Sequence, residues 1–217
     1  MAAQETIPKD PAKVARILKA SLHAFAIDGY AGAKTETIAA TAKVSKGLIF
    51  HYFGSKQQLY LATVEHTMTS IMDEIMPEFQ TPPADLVTLV VQGTKYKTAF
   101  GEHHPDEMAL LIAAYGEIQR LPVKLQTQIT KLYTESLKVT QRLIEQILDQ
   151  MEVRPTVDRA TAVDLIVGVY NQLFAEFQQH MQQQADIQSM ADAQWLVERA
   201  KAYMDIIERG LMTSSKD

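Results

Sequence analysis

TETIAATAKVSKGLIFHYF, residues Thr35–Phe53, is the stretch on which the fold turns. Two short helical segments, Thr35–Ala42 and Lys46–Phe53, flank a tight turn, which is the pattern of a helix-turn-helix. Ser45 can cap the second segment, and Val44 and Ile49 then occupy the two positions of a hydrophobic staple. At about 100° per residue, Ile49 and Phe53 share one face of that segment. The opposite face presents Gly47 and His51, flanked by Leu48, with Lys46 and Phe50 along one shoulder and Tyr52 along the other. A small residue, an imidazole and a cation on one face suit a helix that enters a major groove, where Gly47 admits backbone and side chains reach base edges. Thr35 opens the first segment, whose free amides and dipole favour an anion, and Lys56 opens the following helix with a full charge.

Helical periodicity extends outward in both directions. Val14, Ile17, Leu18, Leu22 and Phe25 recur at three- and four-residue steps, predicting a helix over about Pro11–Ile27 that Gly29 ends through a left-handed cap. Ser55 and Gln58 pair as a capping box that opens a long helix reaching about Met76. After Pro77, Pro82 and Pro83, the pattern predicts helices over about Ala84–Gly101, Pro105–Gln119, Pro122–Met151, Thr156–Gln184 and Ser189–Met212. Pro105, Pro122 and Pro155 stand at or just before helix starts, where a missing amide proton costs little. The fold class is all-α, with residues 1–56 as a helix-turn-helix head and residues 57–217 as a larger body.

Composition narrows the function. The 217 residues contain 47% hydrophobic and 22% charged side chains, enough for a packed core. With no cysteine there is no disulfide scaffold, thiol nucleophile or thiolate metal site. The start carries no apolar signal-peptide core, and MALLIAAY at Met108–Tyr115 is far too short to span a bilayer, so a soluble, cytoplasmic protein without membrane association is expected. The net charge of −5 divides into +4 up to Lys56 and −9 beyond it, a basic head on an acidic body. There is no GxSxG, HExxH or glycine-rich phosphate loop, so no enzyme activity is expected.

FAIDGYAGAKTETIAATAKVSKGLIFHYFGSKQQLY, Phe25–Tyr60, resembles the tetracycline-repressor (TetR) family of bacterial transcriptional regulators. It follows that family's Gly-aromatic, Ile-Ala, Val-Ser-x-Gly, aromatic-x-His/Tyr-Phe and Ser-Lys pattern, and the likeness covers about Ala12–Val64. The resemblance places the DNA-contacting positions on Thr35, Ser45, Lys46, Gly47, Leu48, His51, Tyr52 and Lys56. Lys43 stands where the family usually has a turn glycine. A positive φ there costs lysine roughly 1 kcal/mol but adds a candidate phosphate contact. Phe50 stands where tyrosine is common, removing one hydroxyl.

The resemblance further implies a repressor of a palindromic operator, released by a small hydrophobic effector, and a homodimer formed through about residues 156–184 and 189–212. Leu165, Val169, Leu173 and Phe177 stripe the first of those helices; Leu196, Tyr203 and Ile207 stripe the second. Tyr96, Phe100, Met108, Leu111, Tyr115, Tyr133, Tyr170, Asn171 and Phe174 are candidates to line the effector pocket, with plain core packing as the alternative for each. His103, His104, Asp106 and Glu107 raise a metal reading, but an acid-rich first helical turn explains them as well; no metal and no cofactor is expected. Trp195 fits either a dimer anchor or a core position. A ligand-promoted regulator or activator, and a helical protein-binding adaptor, are the alternative functions.

Overall fold

The computed structural model describes residues 9–183, 187, 189 and 191–211. Among these it contains nine α-helices: α1 (Pro11–Gly32), α2 (Thr35–Thr41), α3 (Lys46–Phe53), α4 (Lys56–Ile75), α5 (Leu86–His103), α6 (Pro105–Gly116), α7 (Val123–Gln150), α8 (Arg159–Gln183) and α9 (Gln194–Leu211). The all-α expectation holds, and no strand occurs among the described residues. The expected helix ends at Gln184 and Met212 lie outside those residues.

Local chemistry sets most boundaries. Asp10 caps α1 by accepting from the Ala12 and Lys13 amides, and Pro11 occupies the first turn. Gly29, at φ 64°, breaks the helix, and one further turn follows to Gly32. Ser45 accepts from the Leu48 amide at 3.1 Å, Ser55 from the Gln58 amide at 3.1 Å, and Gly54 ends α3 at φ 79°. Other ends moved for tertiary reasons. α5 begins at Leu86 because Asp85 caps it and Glu208 of α9 accepts the Leu86 and Val87 amides at 2.6 and 3.1 Å. α6 stops at Gly116, short of Gln119, and a 3₁₀ turn at Ile118–Arg120 replaces its last turn. α9 starts at Gln194 instead of Ser189, after a turn over residues 191–193.

The head and body share one continuous core. Phe25, Ile38, Ile49 and Leu59 are wholly buried in the head, where the Phe25 and Tyr60 rings meet edge to face at 4.9 Å. Leu59 and Tyr60 belong to α4, so the helix that opens the body also completes the head core. Farther along α4, Met68 accepts the Tyr115 hydroxyl of α6 at 2.7 Å. α1 packs against both α4 and α6, and His23 of α1 pairs with Asp106 of α6 at 2.8 Å. α5 packs against α9, and α8 against α6, α7 and α9. A Cβ on Gly116 would stand 2.6 Å from Met181 Cγ, so the α6–α8 crossing requires glycine there.

Lys43 is the one non-glycine residue with positive φ among the described residues, at 54°. The turn therefore demands the conformation that glycine adopts most cheaply. Lys43→Gly should stabilise the free protein by about 0.5–1 kcal/mol, raising its thermal unfolding temperature. An unchanged or lower temperature would show that the lysine side chain compensates for the backbone.

Candidate functional site

The outward surface of α3 is fixed by what its inner surface buries. Ile49 is 0% and Tyr52 is 5% exposed, while Phe53 is only half-buried. The inner face is thus Ile49–Tyr52 rather than Ile49–Phe53. The Tyr52 hydroxyl accepts the Asp10 amide at 3.0 Å, tying α3 to the start of α1. Tyr52 is accordingly packed inward and does not lie on the outward face of α3. Val44 and Ile49 complete the staple, with Val44 half-buried.

Lys46, Gly47, Phe50 and His51 remain on the exposed side, with Ser45 at its edge and Leu48 half-buried. Nothing within the protein explains the glycine: a Cβ on Gly47 would meet only Ser45 Oγ, at an ordinary 3.9 Å. Lys46 Nζ lies 2.5 Å from Glu36 of α2 and 5.6 Å from the Phe50 ring centroid. Hydrogen bonding from Lys46 is the main cause that lowers the Glu36 pKa. Both side chains are open to solvent, so the pair is weak and the ammonium can be redirected at little cost.

The flanking groups are less uniform. Lys43 is exposed, beside α3. Thr35 is 7% exposed and its hydroxyl donates to Glu36, so its side chain is turned inward, although no side chain caps the α2 amides. Lys56 donates to the Ala31 carbonyl at 3.2 Å and stands 5.0 Å over the Tyr30 ring; partial burial lowers its pKa. It braces the segment after Gly29.

The nine body candidates separate into groups. Tyr115, Tyr133 and Phe174 form one aromatic cluster across α6, α7 and α8: Tyr133 and Phe174 stack at 3.7 Å, and Tyr115 meets Phe174 edge-on at 5.6 Å. The Tyr133 hydroxyl donates to the Tyr170 carbonyl at 3.1 Å. Burial raises the pKa of all three tyrosines, which stay neutral. Phe100, Met108 and Leu111 are buried core residues. Tyr96 instead packs on Phe79 at 5.5 Å, and its pKa is raised by hydrogen bonding to Glu78. Asn171 is exposed on α8 with Leu165, Gly168, Gln172 and Ala175, an outward face rather than an inner one. His103 is bonded to the Ala99 carbonyl and His104 pairs with Glu74, and among the described residues no three His, Asp or Glu side chains are grouped as metal ligands.

Residues 17–63 match the model of the bacterial regulatory proteins of the tetR family. The head is a TetR-family domain. The chain is 26% identical over 129 residues to the HTH-type transcriptional repressor NicS of Pseudomonas putida, covering 59% of this chain and 60% of NicS. It is 31% identical over 113 residues to the HTH-type transcriptional repressor SCO4008 of Streptomyces coelicolor, covering 45% of this chain and 59% of that protein. The matches thus span about three fifths of these relatives' own length. Among solved structures, the transcriptional regulator FadR of Bacillus subtilis, in complex with stearoyl-CoA, superposes with a TM-score of 0.63 at 16% identity, covering 91% of this chain and 98% of FadR. That likeness establishes a common fold through the body.

Sequence analysis of the TetR head overlooked Glu36, although a lysine ten residues later across a helix-turn-helix was a usable signal. It also gave no sign of the open groove of about 850 Å³ between α1, α4 and α6, edged by Arg16, His23, His66 and Asp106. Two substitutions separate packing from recognition. Tyr52→Phe should cost about 1 kcal/mol in thermal unfolding by freeing the Asp10 amide, with the salt dependence of DNA binding unchanged. Gly47→Ala should hold or raise stability, by up to about 1 kcal/mol, while weakening DNA binding at least tenfold. A fully binding Gly47→Ala protein would exclude close backbone approach.

Proposed function

We propose that the chain is a sequence-specific regulator of transcription: a homodimer that represses from a palindromic operator and releases it when a small, largely apolar effector enters the body. The observation that carries this reading is the outward face of α3, where a glycine with open space above it lies between a redirectable lysine and an exposed histidine. His51 and Gly47 face base edges; Lys46, Lys43 and the Ser45 edge approach phosphates. On phosphate contact Lys46 exchanges Glu36 for the DNA backbone. The TetR head and the repressor names of NicS and SCO4008 support the same reading.

Dimerisation through α8 and α9 supplies the second head. Leu165 is 54% and Ile206 is 67% exposed, and the exposed small residues Gly168 and Ala202 lie within about one turn of them on α8 and α9. Leu173 and Ile207, assigned to the interface stripe from sequence, are buried within the subunit, so the proposed contact is centred on Leu165 and Ile206. The effector site is the region of Tyr115, Tyr133, Tyr170 and Phe174, and the FadR complex with stearoyl-CoA supports a ligand in a body of this fold. A ligand that repositions α6 moves α1 through their shared packing and the His23–Asp106 pair, changing the spacing of the two heads. Coupling of this kind is typically about 1–3 kcal/mol and reciprocal, so operator DNA weakens effector binding by the same factor.

Titration of the purified protein with its upstream promoter DNA across salt tests the proposal. Binding should fall steeply with salt, and Lys46→Ala should weaken it while reducing the slope by about one unit. His51→Ala should alter sequence preference more than slope. Salt-insensitive or absent binding, on promoter DNA and in genome-wide selection with or without added compounds, would exclude the regulator and favour an adaptor. Leu165→Glu with Ile206→Glu should convert the dimer to a monomer in sedimentation and lose tight operator binding. A dimer that survives both substitutions would place the interface elsewhere.

A further inference from the structure

The groove of about 850 Å³ between α1, α4 and α6 has a floor of hydroxyls. Thr63, Thr67 and Ser70 follow one another along α4 at steps of four and three residues, on the face that lines it. A threonine inside a helix commonly turns its hydroxyl back to the carbonyl four residues earlier, as Thr63, Thr69, Thr94, Thr127 and Thr134 do here. Thr67 does not. It is only 2% exposed, and among the described residues its hydroxyl has no hydrogen-bond partner. Its oxygen nevertheless keeps a little accessible surface, and the surface open to Thr67 is that of the groove. A buried hydroxyl that declines its own helix and opens onto a groove is a hydrogen-bonding group left to an occupant.

Charge is divided along the same groove. Arg16 and Lys19 stand one turn apart on α1, and Lys43 joins them from the turn before α3. Arg16 Nε donates to the Ala42 carbonyl at 3.1 Å, which holds the guanidinium beside Lys43 and leaves its terminal nitrogens open. Among the described residues no carboxylate pairs with Arg16, Lys19 or Lys43. The carboxylates at the α6 end are answered: Asp106 by His23 at 2.8 Å, and Glu107 by His104 at 3.6 Å. Three unanswered cations at one end and an unanswered hydroxyl on the floor ask for an anion with hydroxyls behind it, and the volume suits a molecule of sugar size.

We propose that this groove is a second small-molecule site, separate from the aromatic cluster of the body, and that it takes a soluble phosphate monoester with a hydroxylated body. The phosphate meets the Arg16 fork with Lys19 and Lys43, and the hydroxyls of the ligand meet Thr67 and Ser70. A bare anion satisfies the cations and leaves Thr67 open; a neutral polyol does the reverse. A DNA phosphate can reach exposed cations but not a hydroxyl on the floor. Occupancy draws Lys43 to the ligand, so ligand and operator compete; this consequence rests on the reading of Lys43 as a phosphate contact.

Calorimetry on the full-length protein at fixed ionic strength tests the site, with glucose 6-phosphate and glycerol 3-phosphate as probes beside glucose, glycerol and inorganic phosphate. At least one ester should bind tenfold or more tightly than its parent polyol and than inorganic phosphate. Thr67→Val and Lys19→Gln should each weaken that ester by about tenfold. Thr67→Val should hold or raise the unfolding temperature, because it removes an unpartnered hydroxyl without changing shape, and should leave operator affinity unchanged. No ester binding to the wild type, inorganic phosphate binding as tightly as the esters, or ester affinity that survives either substitution would overturn the proposal. Vesicles of phosphatidylcholine with phosphatidic acid carry the same monoester on a bilayer; sedimentation of the protein with them would overturn the soluble source. The bound ester should lower operator affinity, and an ester without that effect would overturn the competition. If the protein binds no DNA, the regulator reading fails, and calorimetry still decides the site.

Discussion

Burial of Ile49 and Tyr52 beneath α3 is the constraint on which the proposed DNA-reading surface depends. Once those two side chains are inside, and the Tyr52 hydroxyl accepts the Asp10 amide, the rotational setting of α3 about its own axis is fixed by its packing. Lys46, Gly47 and His51 are then outward by geometry, whatever their own preferences. Full burial of an isoleucine is worth roughly 1.5–3 kcal/mol, several times what an exposed ion pair such as Lys46–Glu36 contributes. Packing therefore sets the direction of the reading face, and the surface charges remain free to exchange partners. That division of labour is what a protein needs if it must hold one shape and still hand its cations to a polyanion.

The same economy of parts joins head to body. α4 supplies Leu59 and Tyr60 to the head core and Met68 to the body, while α1 lies against α6. No flexible linker separates head from body among the described residues, and the two share one continuous core. Lys43 adds a point of strain in the turn that orients α3, with its side chain at the edge of the groove between α1, α4 and α6. Head orientation is thus supported by the packing of three helices and is sensitive to all of them.

Local chemistry was legible in the sequence and long-range contacts were not. Ser45 and Gly54 delimit α3 at Lys46–Phe53 as read, because caps are properties of adjacent residues. The assignment of Tyr52 and Phe53 was exchanged because eight residues of periodicity cannot separate neighbouring positions on a helix; a partner 42 residues away decided it. Asn171 looked like a polar tip in a pocket and proved to lie on the outward face of α8, and Leu173 and Ile207 made the opposite move. An amphipathic helix with two apolar faces does not announce which face meets its own chain. Tyr115, Tyr133 and Phe174 were chosen as aromatics on middle helices, and the fold brought them together.

The account is tested most directly by hydroxyl-radical footprinting of the protein on DNA selected for tight binding. Two protected patches of equal strength, on one face of the duplex and centred about 10–10.5 base pairs or a whole multiple apart, are the expected result. They would correspond to the outward faces of two α3 helices in successive major grooves, presented by one symmetric dimer. A single patch, or protection without a two-fold centre, would contradict the paired-head arrangement. Complete absence of protection at low salt would contradict DNA recognition by α3 itself.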